Sequence, residues 1–246
     1  MSERGIALEA VGVTKWFGSV RALDDVTLTV SPGARVALVG ESGSGKTTLL
    51  RSFNRMVDAD AGRITVAGAD VKATDPVQLR RSLGYVQQEG GLLPHWTVLR
   101  NAAMVPRLRN MDDPGGRGRR ALELVGLAPD DFAERWPREL SGGQRQRVAL
   151  ARALASDPEA ILLDEPFGAL DAITRAEVQE AFVHTVVRLG ITVLLVTHDL
   201  REAWHISDRV AVMRDGRIEQ MGTPDQLRHE PATRYVAELQ ERAGVA

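Results

Sequence analysis

The segment Gly40-Glu41-Ser42-Gly43-Ser44-Gly45-Lys46-Thr47-Thr48 constrains this chain more than any other. The apolar run Val36-Ala37-Leu38-Val39 precedes it and reads as a short buried strand; Leu49-Leu50-Arg51-Ser52-Phe53 follows and reads as the first turns of a helix. Strand, glycine-rich turn, lysine, hydroxyl and helix is the arrangement that holds nucleotide phosphates. Gly40, Gly43 and Gly45 let backbone N–H groups turn inward around an anion, with Ser42 among them, and the helix N-terminus adds partial positive charge. Lys46 reaches the terminal phosphates, and the Thr47 hydroxyl, next to Thr48, is the expected Mg²⁺ ligand. The chain has 3 lysines, Lys15, Lys46 and Lys72, against 28 arginines, so a lysine at the one position that needs it is not compositional noise. Such a loop serves kinases, GTPases and transport ATPases alike.

Length and composition narrow the class. The chain has 246 residues, 43% of them hydrophobic, enough for one large or two small domains. The formal charge of −2 offers no overall pull on nucleic acid, and none is expected as a partner. Without cysteine there are no disulfides or thiolate metal sites, which fits a reducing compartment. Met1-Ser2-Glu3-Arg4 does not lead into an apolar signal core, so no targeting segment is expected. The longest apolar runs, such as Thr192-Val193-Leu194-Leu195-Val196, fall far short of the ~20 residues of a membrane helix and read as buried strands.

Along the chain, the N-terminal part is strand-rich. Val26–Val30 alternates as a half-buried strand, Ile64-Thr65-Val66 reads as another, Asp75-Pro76 starts a helix, and Leu83–Val86 is the next strand. From about Gly90 to Ser156 the pattern turns helical. Thr97 is expected to cap a helix through Leu108, and Asp112–Gly118, with a proline and three glycines, is expected to be a loop before a helix over Arg119–Val125. After Pro158, Ala160–Leu163 and Thr192–Val196 read as strands, Leu170–Leu189 as a helix stopped by Gly190, and Leu200–Ile206 as a short helix. Asp215-Gly216 between two apolar runs signals a hairpin. The reading is a mostly parallel sheet with a helical insertion between two halves of one nucleotide-binding domain.

Two further motifs carry chemistry. Leu162-Leu163-Asp164-Glu165-Pro166 puts two carboxylates at the end of a buried strand, the end that faces the ligand crevice in open α/β sheets. One carboxylate can hold Mg²⁺ through water while the next polarises an attacking water, although the same residues could merely end a strand. Leu140-Ser141-Gly142-Gly143-Gln144 opens a helix; Ser141 is a natural cap, and the two glycines leave N–H groups open to a second phosphate contact.

With these residues in order, the chain resembles the ATP-binding cassette (ABC) ATPase family over nearly its whole length: a P-loop, a glutamine after a strand, LSGGQ, LLDEP, GALD and a final Thr197-His198 pair. The resemblance implies an α/β P-loop NTPase (RecA-like) core with an N-terminal antiparallel β-subdomain and a helical insertion. Its expected parts are a nucleotide core over residues 1–89 and 157–222, a helical subdomain over 90–156 and a helical tail over 223–246. It implies ATP and Mg²⁺ as ligands and a head-to-tail homodimer, in which Ser141, Gly142, Gly143 and Gln144 of one copy meet the γ-phosphate held by Lys46 of the other. Glu165 is implied as catalytic base, Asp164 as the Mg²⁺-organising carboxylate with Thr47 and Gln88, His198 as the γ-phosphate switch, Gln88 as the lid glutamine and Asp171 as the dimer-crossing loop. Family members place an aromatic before the glycine of the N-terminal loop to stack on adenine; Trp16 and Phe17 compete here, and Phe17, which precedes Gly18, is the choice. His95, His184, His205 and His229 are read as ordinary surface or core residues.

Three functions compete: the detached ATPase of a transporter, a soluble mechanical ATPase acting on DNA repair or ribosomes, and a non-hydrolysing interaction subunit. There are no coiled-coil arms before Leu140 and no second cassette, and Glu165 and His198 are present, which favours the transporter. Gly84–Gln88 through Leu93–Val98, followed by Val105–Leu108, is similar to the glycine betaine/choline/carnitine/proline osmoprotectant importers, with polar amino acid or methionine uptake as the alternative. The implied partners are an integral-membrane permease and, through it, an extracytoplasmic substrate-binding protein, at the cytoplasmic face of the membrane. The chain ends at Ala246, soon after Pro231–Arg242, so the paired regulatory modules of many such relatives are expected to be absent.

Overall fold

The computed structural model describes residues 5–88 and 90–245; Met1-Ser2-Glu3-Arg4, on which the reading of a missing targeting segment falls, Glu89 and Ala246 lie outside the described residues. In chain order the elements are β1 (Leu8–Phe17), β2 (Val20–Val30), β3 (Arg35–Val39), α1 (Lys46–Phe53), β4 (Ala61–Val66), β5 (Ala69–Asp70), α2 (Pro76–Ser82) and β6 (Gly84–Val86). Then come α3 (Val98–Ala102), α4 (Met104–Leu108), α5 (Pro114–Leu124), α6 (Pro129–Phe132), α7 (Gly142–Leu154), β7 (Ala160–Asp164) and α8 (Ala172–Leu189). The last are β8 (Thr192–Val196), α9 (Leu200–Ile206), β9 (Arg209–Arg214), β10 (Arg217–Gly222), α10 (Pro224–His229) and α11 (Arg234–Ala243). They form two compact units, one from Met1–Leu79 with Gly190–Ala246 and one from Arg80–Leu189.

The first unit carries an antiparallel sheet in the order β2-β1-β4-β5. Its register pairs Leu8 with Val30 on one side and with Val66 on the other, so the buried set Leu8, Ala10, Leu28, Val30, Ile64 and Val66 faces one side while Thr27 and Thr29 stay exposed. In the same unit β8, β3 and β9 run parallel and β10 returns antiparallel to β9. Val36–Val39, Val193–Val196 and Val210–Met213 are buried without interruption, the pattern of strands covered on both faces. Asp215 (φ +47°) and Gly216 (φ +78°) make the two-residue turn expected there. That turn is tied to the glycine loop: the Gly216 N–H donates to the Ser44 carbonyl at 3.2 Å, and the Asp24 N–H donates to the Gly216 carbonyl at 2.9 Å.

The second unit pairs β6 with β7 in parallel, Tyr85 opposite Leu162, and adds the helices α3 to α8. Thr97 caps α3 as expected, accepting from the Arg100 N–H at 3.3 Å. The expected helix through Leu108 nevertheless divides at Ala103, because Pro106 has no N–H to give the Ala102 carbonyl and its ring crowds it. Asn101, fully buried, orders the preceding turn: its amide donates to the Leu93, Trp96 and Thr97 carbonyls at 3.1 Å each, and its oxygen accepts from the Leu93 N–H at 2.8 Å.

The expected loop over Asp112–Gly118 is wrong. Helix α5 begins at Pro114 and runs through Gly115, Gly116 and Gly118. Asp113 supplies the start signal, its carboxylate accepting from the Gly116 N–H at 2.9 Å, and Pro114 occupies the first helical position, where no N–H is needed. Gly118 lets α5 approach α3: a Cβ there would lie 3.1 Å from Leu99 Cδ1 and 3.2 Å from the Ala103 backbone nitrogen. Tertiary packing has overridden glycine's weak helix propensity. Among the described residues, no helix is long and apolar enough to cross a membrane.

Candidate functional site

In the first unit, the chain leaves β3 and turns at Gly40 (φ +150°), where a Cβ would sit 2.1 Å from the Met213 carbonyl oxygen, so only glycine passes. Gly43 (φ +83°) follows, Gly45 (φ +100°) precedes the first residue of α1, and Ser42 and Gly43 are exposed at the loop surface. Lys46 is 6% exposed, and its ammonium donates to the Gly40 carbonyl at 2.8 Å, the Glu41 carbonyl at 2.7 Å and the Ser44 hydroxyl at 3.2 Å. It therefore lies curled within its own loop. Thr47 and Thr48 follow, half-buried, in the first turn of α1.

One part of the first unit that comes later in sequence, α11, reaches the loop. Tyr235 on α11 accepts a hydrogen bond from the Glu41 N–H at 3.2 Å, and Arg242 on the same helix pairs with the Glu41 carboxylate at 3.1 Å. Sequence reading had assigned no role to α11; an amphipathic helix with one tyrosine among apolar positions was the available signal. His198 is exposed between the end of β8 and Asp199, whose carboxylate caps α9 by accepting from the Arg201 N–H at 2.9 Å. Phe17 is 51% exposed and Trp16 41% exposed at the end of β1; the Lys15 ammonium lies 5.4 Å from the Phe17 ring centre and the Arg21 guanidinium 4.7 Å from that of Trp16.

In the second unit, β7 delivers Asp164 with 1% exposure and then Glu165, half-buried. Glu165 has φ +48°, the left-handed region, which costs a side chain-bearing residue about 1–2 kcal/mol. Its carboxylate accepts a hydrogen bond from the Gln88 amide at 3.2 Å, so the structure brings these two expected residues together. Gln87, the other glutamine of the pair, lies instead against its own turn: a Cβ on Gly91 would fall 1.7 Å from its amide nitrogen.

Sequence reading missed Gln146. It is 3% exposed on α7; its amide nitrogen donates to the Glu165 carbonyl at 2.8 Å, and its amide oxygen accepts from the Ala169 N–H at 2.9 Å. The signal was an amide on the helix face that also carries the buried Ala149, Leu150 and Ala153, where a polar group must find partners. Arg152, further along α7, was missed for the same reason. It is 8% exposed and donates to the Gly91 and Gly90 carbonyls at 2.7 and 2.8 Å; burial pushes its guanidinium below the usual arginine range.

Ser141 closes a capping box with Gln144: the Ser141 hydroxyl accepts from the Gln144 N–H at 3.2 Å, and the Gln144 side chain accepts from the Ser141 N–H at 2.9 Å. Gly142 and Gly143 form the first turn of α7, and a Cβ on Gly143 would sit 2.9 Å from Leu170 Cδ2. Asp171 precedes α8 and accepts from the Thr174 N–H at 3.1 Å; hydrogen bonds from Thr174 hold its carboxyl below the usual aspartate range.

The groups fit the ligands the motifs imply. An ammonium, two threonine hydroxyls and backbone N–H groups at a helix start suit a polyphosphate. The Thr47 hydroxyl in the first unit and, by itself, the buried Asp164 carboxylate in the second are each hard oxygen donors of the kind Mg²⁺ takes. Among the described residues, no three His, Cys, Asp or Glu side chains cluster as a self-sufficient metal centre. Mg²⁺ needs none, because it usually keeps waters and substrate phosphates as ligands.

A glycine loop between a parallel strand and a helix, with a carboxylate pair ending a second parallel strand, defines the P-loop class of mixed α/β proteins. Residues 23–168 match the model described as ABC transporter, and the chain belongs to that family. It is 44% identical over 230 residues to the carnitine transport ATP-binding protein OpuCA of Listeria monocytogenes, covering 92% of this chain and 58% of the relative. It is 46% identical over 235 residues to the sulfate/thiosulfate import ATP-binding protein CysA of Bordetella bronchiseptica, covering 94% of this chain and 66% of the relative. The chain thus spans about three fifths to two thirds of these relatives' lengths. Among solved structures it is similar to the dimeric MJ0796 cassette bound to ADP and Pi, with a TM-score of 0.81 and 31% identity over 88% of this chain and 98% of that one.

Proposed function

We propose that this chain is the ATP-hydrolysing subunit of an ABC importer for a small quaternary amine such as carnitine, choline or glycine betaine. The observation that carries the enzymatic part is the Gln88 amide on the Glu165 carboxylate at 3.2 Å. It gives the carboxylate a fixed direction and a polar partner, which a general base needs. In this reading Lys46, Gly40, Ser42, Gly43, Gly45, Thr47 and Thr48 bind the phosphates of ATP, and Phe17 stacks on the adenine. Mg²⁺ would be held by Thr47, Asp164 and Gln88, and when bound it neutralises charge on the phosphate oxygens. Glu165 takes the proton from the attacking water, and His198 contacts the γ-phosphate. The dimeric cassette structure of MJ0796 supports a pair of copies; in the proposed pair, Ser141, Gly142, Gly143 and Gln144 of one copy complete the phosphate site of the other, beside Asp171. Affinity of ATP for the closed pair then drives closure, and hydrolysis removes that bias.

The membrane span would come from a permease, reached at the cytoplasmic face, with a substrate-binding protein delivering solute to it. The OpuCA relative supports a quaternary amine as cargo, and the CysA relative makes sulfate the competing solute. The test is uptake of labelled carnitine, choline, glycine betaine and sulfate by cells with and without the gene. Loss of amine uptake on deletion is the expected result; loss of sulfate uptake alone overturns the solute assignment.

A further inference from the structure

We propose that Gln146 is a positioning residue for hydrolysis, holding Glu165 in the backbone conformation that aims its carboxylate. The proposal rests on the reading of Glu165 as the base. Local sequence opposes the conformation observed. A residue with a side chain avoids φ +48°, and Pro166 pushes the residue before it toward extended backbone. Something outside the segment must hold it.

The Glu165 carbonyl accepts hydrogen bonds from the Gly168 N–H and from the Gln146 amide. The one from the Gly168 N–H, within the same turn, is long at 3.4 Å; the one from Gln146 is 2.8 Å. The other end of the same amide accepts from Ala169 at 2.9 Å, so one rigid planar group pins both ends of the segment Glu165–Ala169. Gln146 is 97% buried by its 3% exposure, where losing one partner strands the other. The clamp is therefore close to all-or-none. It also ties the base to α7, the helix whose first turn is Ser141-Gly142-Gly143-Gln144. Released, Glu165 would relax toward negative φ, and its carboxylate would leave the Gln88 amide.

The experiment measures steady-state ATP hydrolysis by the full chain with Mg²⁺ for Gln146→Met, Glu165→Gln and the double variant, with nucleotide binding measured beside it. Methionine keeps the volume and removes the amide. A base displaced by about 1 Å is expected to lose on the order of 10²-fold in kcat, with KM for ATP within about twofold. The double variant should be no slower than Glu165→Gln alone, because Gln146 acts through that carboxylate. Slow Glu165→Gln with wild-type kcat in Gln146→Met overturns this proposal and leaves the base reading standing, as does a double variant whose losses multiply. Wild-type turnover in Glu165→Gln removes the base reading and this proposal with it.

Should Gln146→Met fail to fold, Gln146→Glu decides the matter. An ionised carboxylate can accept from Ala169 but cannot donate to the Glu165 carbonyl; protonation restores the donor. Its kcat relative to wild type should therefore rise several-fold as pH falls from about 8 to about 6, since burial raises a glutamate's pKa. A flat ratio overturns the proposal.

Discussion

Tyr235 accepts a hydrogen bond from the backbone N–H of Glu41, joining the helix α11 to the second residue of the glycine loop across 194 positions of sequence. The Arg214 guanidinium lies 4.8 Å from the Tyr235 ring centre, so the ring is held from the β9 side as well. This is the tie by which α11 can steady the loop that Lys46 folds across. Tyr235→Phe keeps the ring and removes the acceptor. A net hydrogen bond contributes about 0.5–1.5 kcal/mol, so Tm should fall by about 1–6 °C for a chain of this size. Nucleotide affinity should weaken by up to about tenfold, read by fluorescence titration. Unchanged affinity with lowered Tm would confine the bond to stability.

The same residue fixes the sign of an alkaline effect. Burial raises the Tyr235 hydroxyl above its usual pKa, outweighing the hydrogen bond from Glu41. The folded state therefore favours the neutral phenol. Its stabilisation is complete below the unfolded value of about 10 and is lost as pH rises through the folded value. Chemical denaturation across pH 9 to 11 (about this range, from the usual tyrosine pKa) should show a falling limb in the wild type that is shallower in Tyr235→Phe.

Ser141 has a structural duty and a proposed functional one, and two substitutions separate them. Its hydroxyl caps α7, so Ser141→Ala should cost about 1 kcal/mol of stability. Asparagine caps nearly as well as serine but is bulkier. Ser141→Asn should therefore keep the wild-type denaturation midpoint and lower ATP hydrolysis by at least about tenfold if a second copy packs there. Equal hydrolysis in Ser141→Asn and wild type would leave Ser141 as a cap alone.

Helix α5 shows where sequence reasoning stopped. The glycines of Asp112–Gly118 argue for a loop on propensity, yet Asp113 and Pro114 start a helix, and Gly118 marks where α3 comes close. No local pattern contains that neighbour. The two outer glycines should respond oppositely to alanine. Gly115 has open space, so Gly115→Ala should stabilise by up to about 1 kcal/mol through helix propensity. Gly118→Ala would press on the Ala103 backbone nitrogen, which cannot give way, and should destabilise by about 1–3 kcal/mol. Urea midpoints of the two variants check the pair.

What was legible elsewhere follows a physical line. β3, β7 and β8 were readable because strands buried on both faces leave unbroken apolar runs, and the 215–216 hairpin because its turn needs two left-handed residues. The positions of Lys46, just past β3, and of Asp164 and Glu165, at the end of β7, were readable because they follow directly on those strands; Gln88, beyond β6, was singled out by the family resemblance instead. The backbone twist at Glu165 and the bonds of Gln146, Arg152 and Tyr235 were not. Each joins segments distant in sequence through a single polar side chain, and no period or spacing encodes the partner.

Arg152 supplies the last case. Its guanidinium is buried and donates to two carbonyls, Gly90 and Gly91, next to the turn that carries Gln88. Two effects oppose each other in Arg152→Met. Removing a buried charge relieves a desolvation cost, while losing two charge-assisted bonds of about 1.5–3 kcal/mol each leaves two carbonyls unpaired. Global stability should therefore drop only modestly, by about 1–3 kcal/mol, because the terms partly cancel. The local effect should be larger, since these bonds are what α7 gives that turn. Hydrogen exchange at residues 90–92 should accelerate by about ten- to a hundredfold in Arg152→Met, with α7 itself little changed. Arg152→Lys keeps the charge but loses the fork that spans both oxygens, so it should fall between the two. Exchange that accelerates evenly over the whole second unit would instead make Arg152 a general core residue.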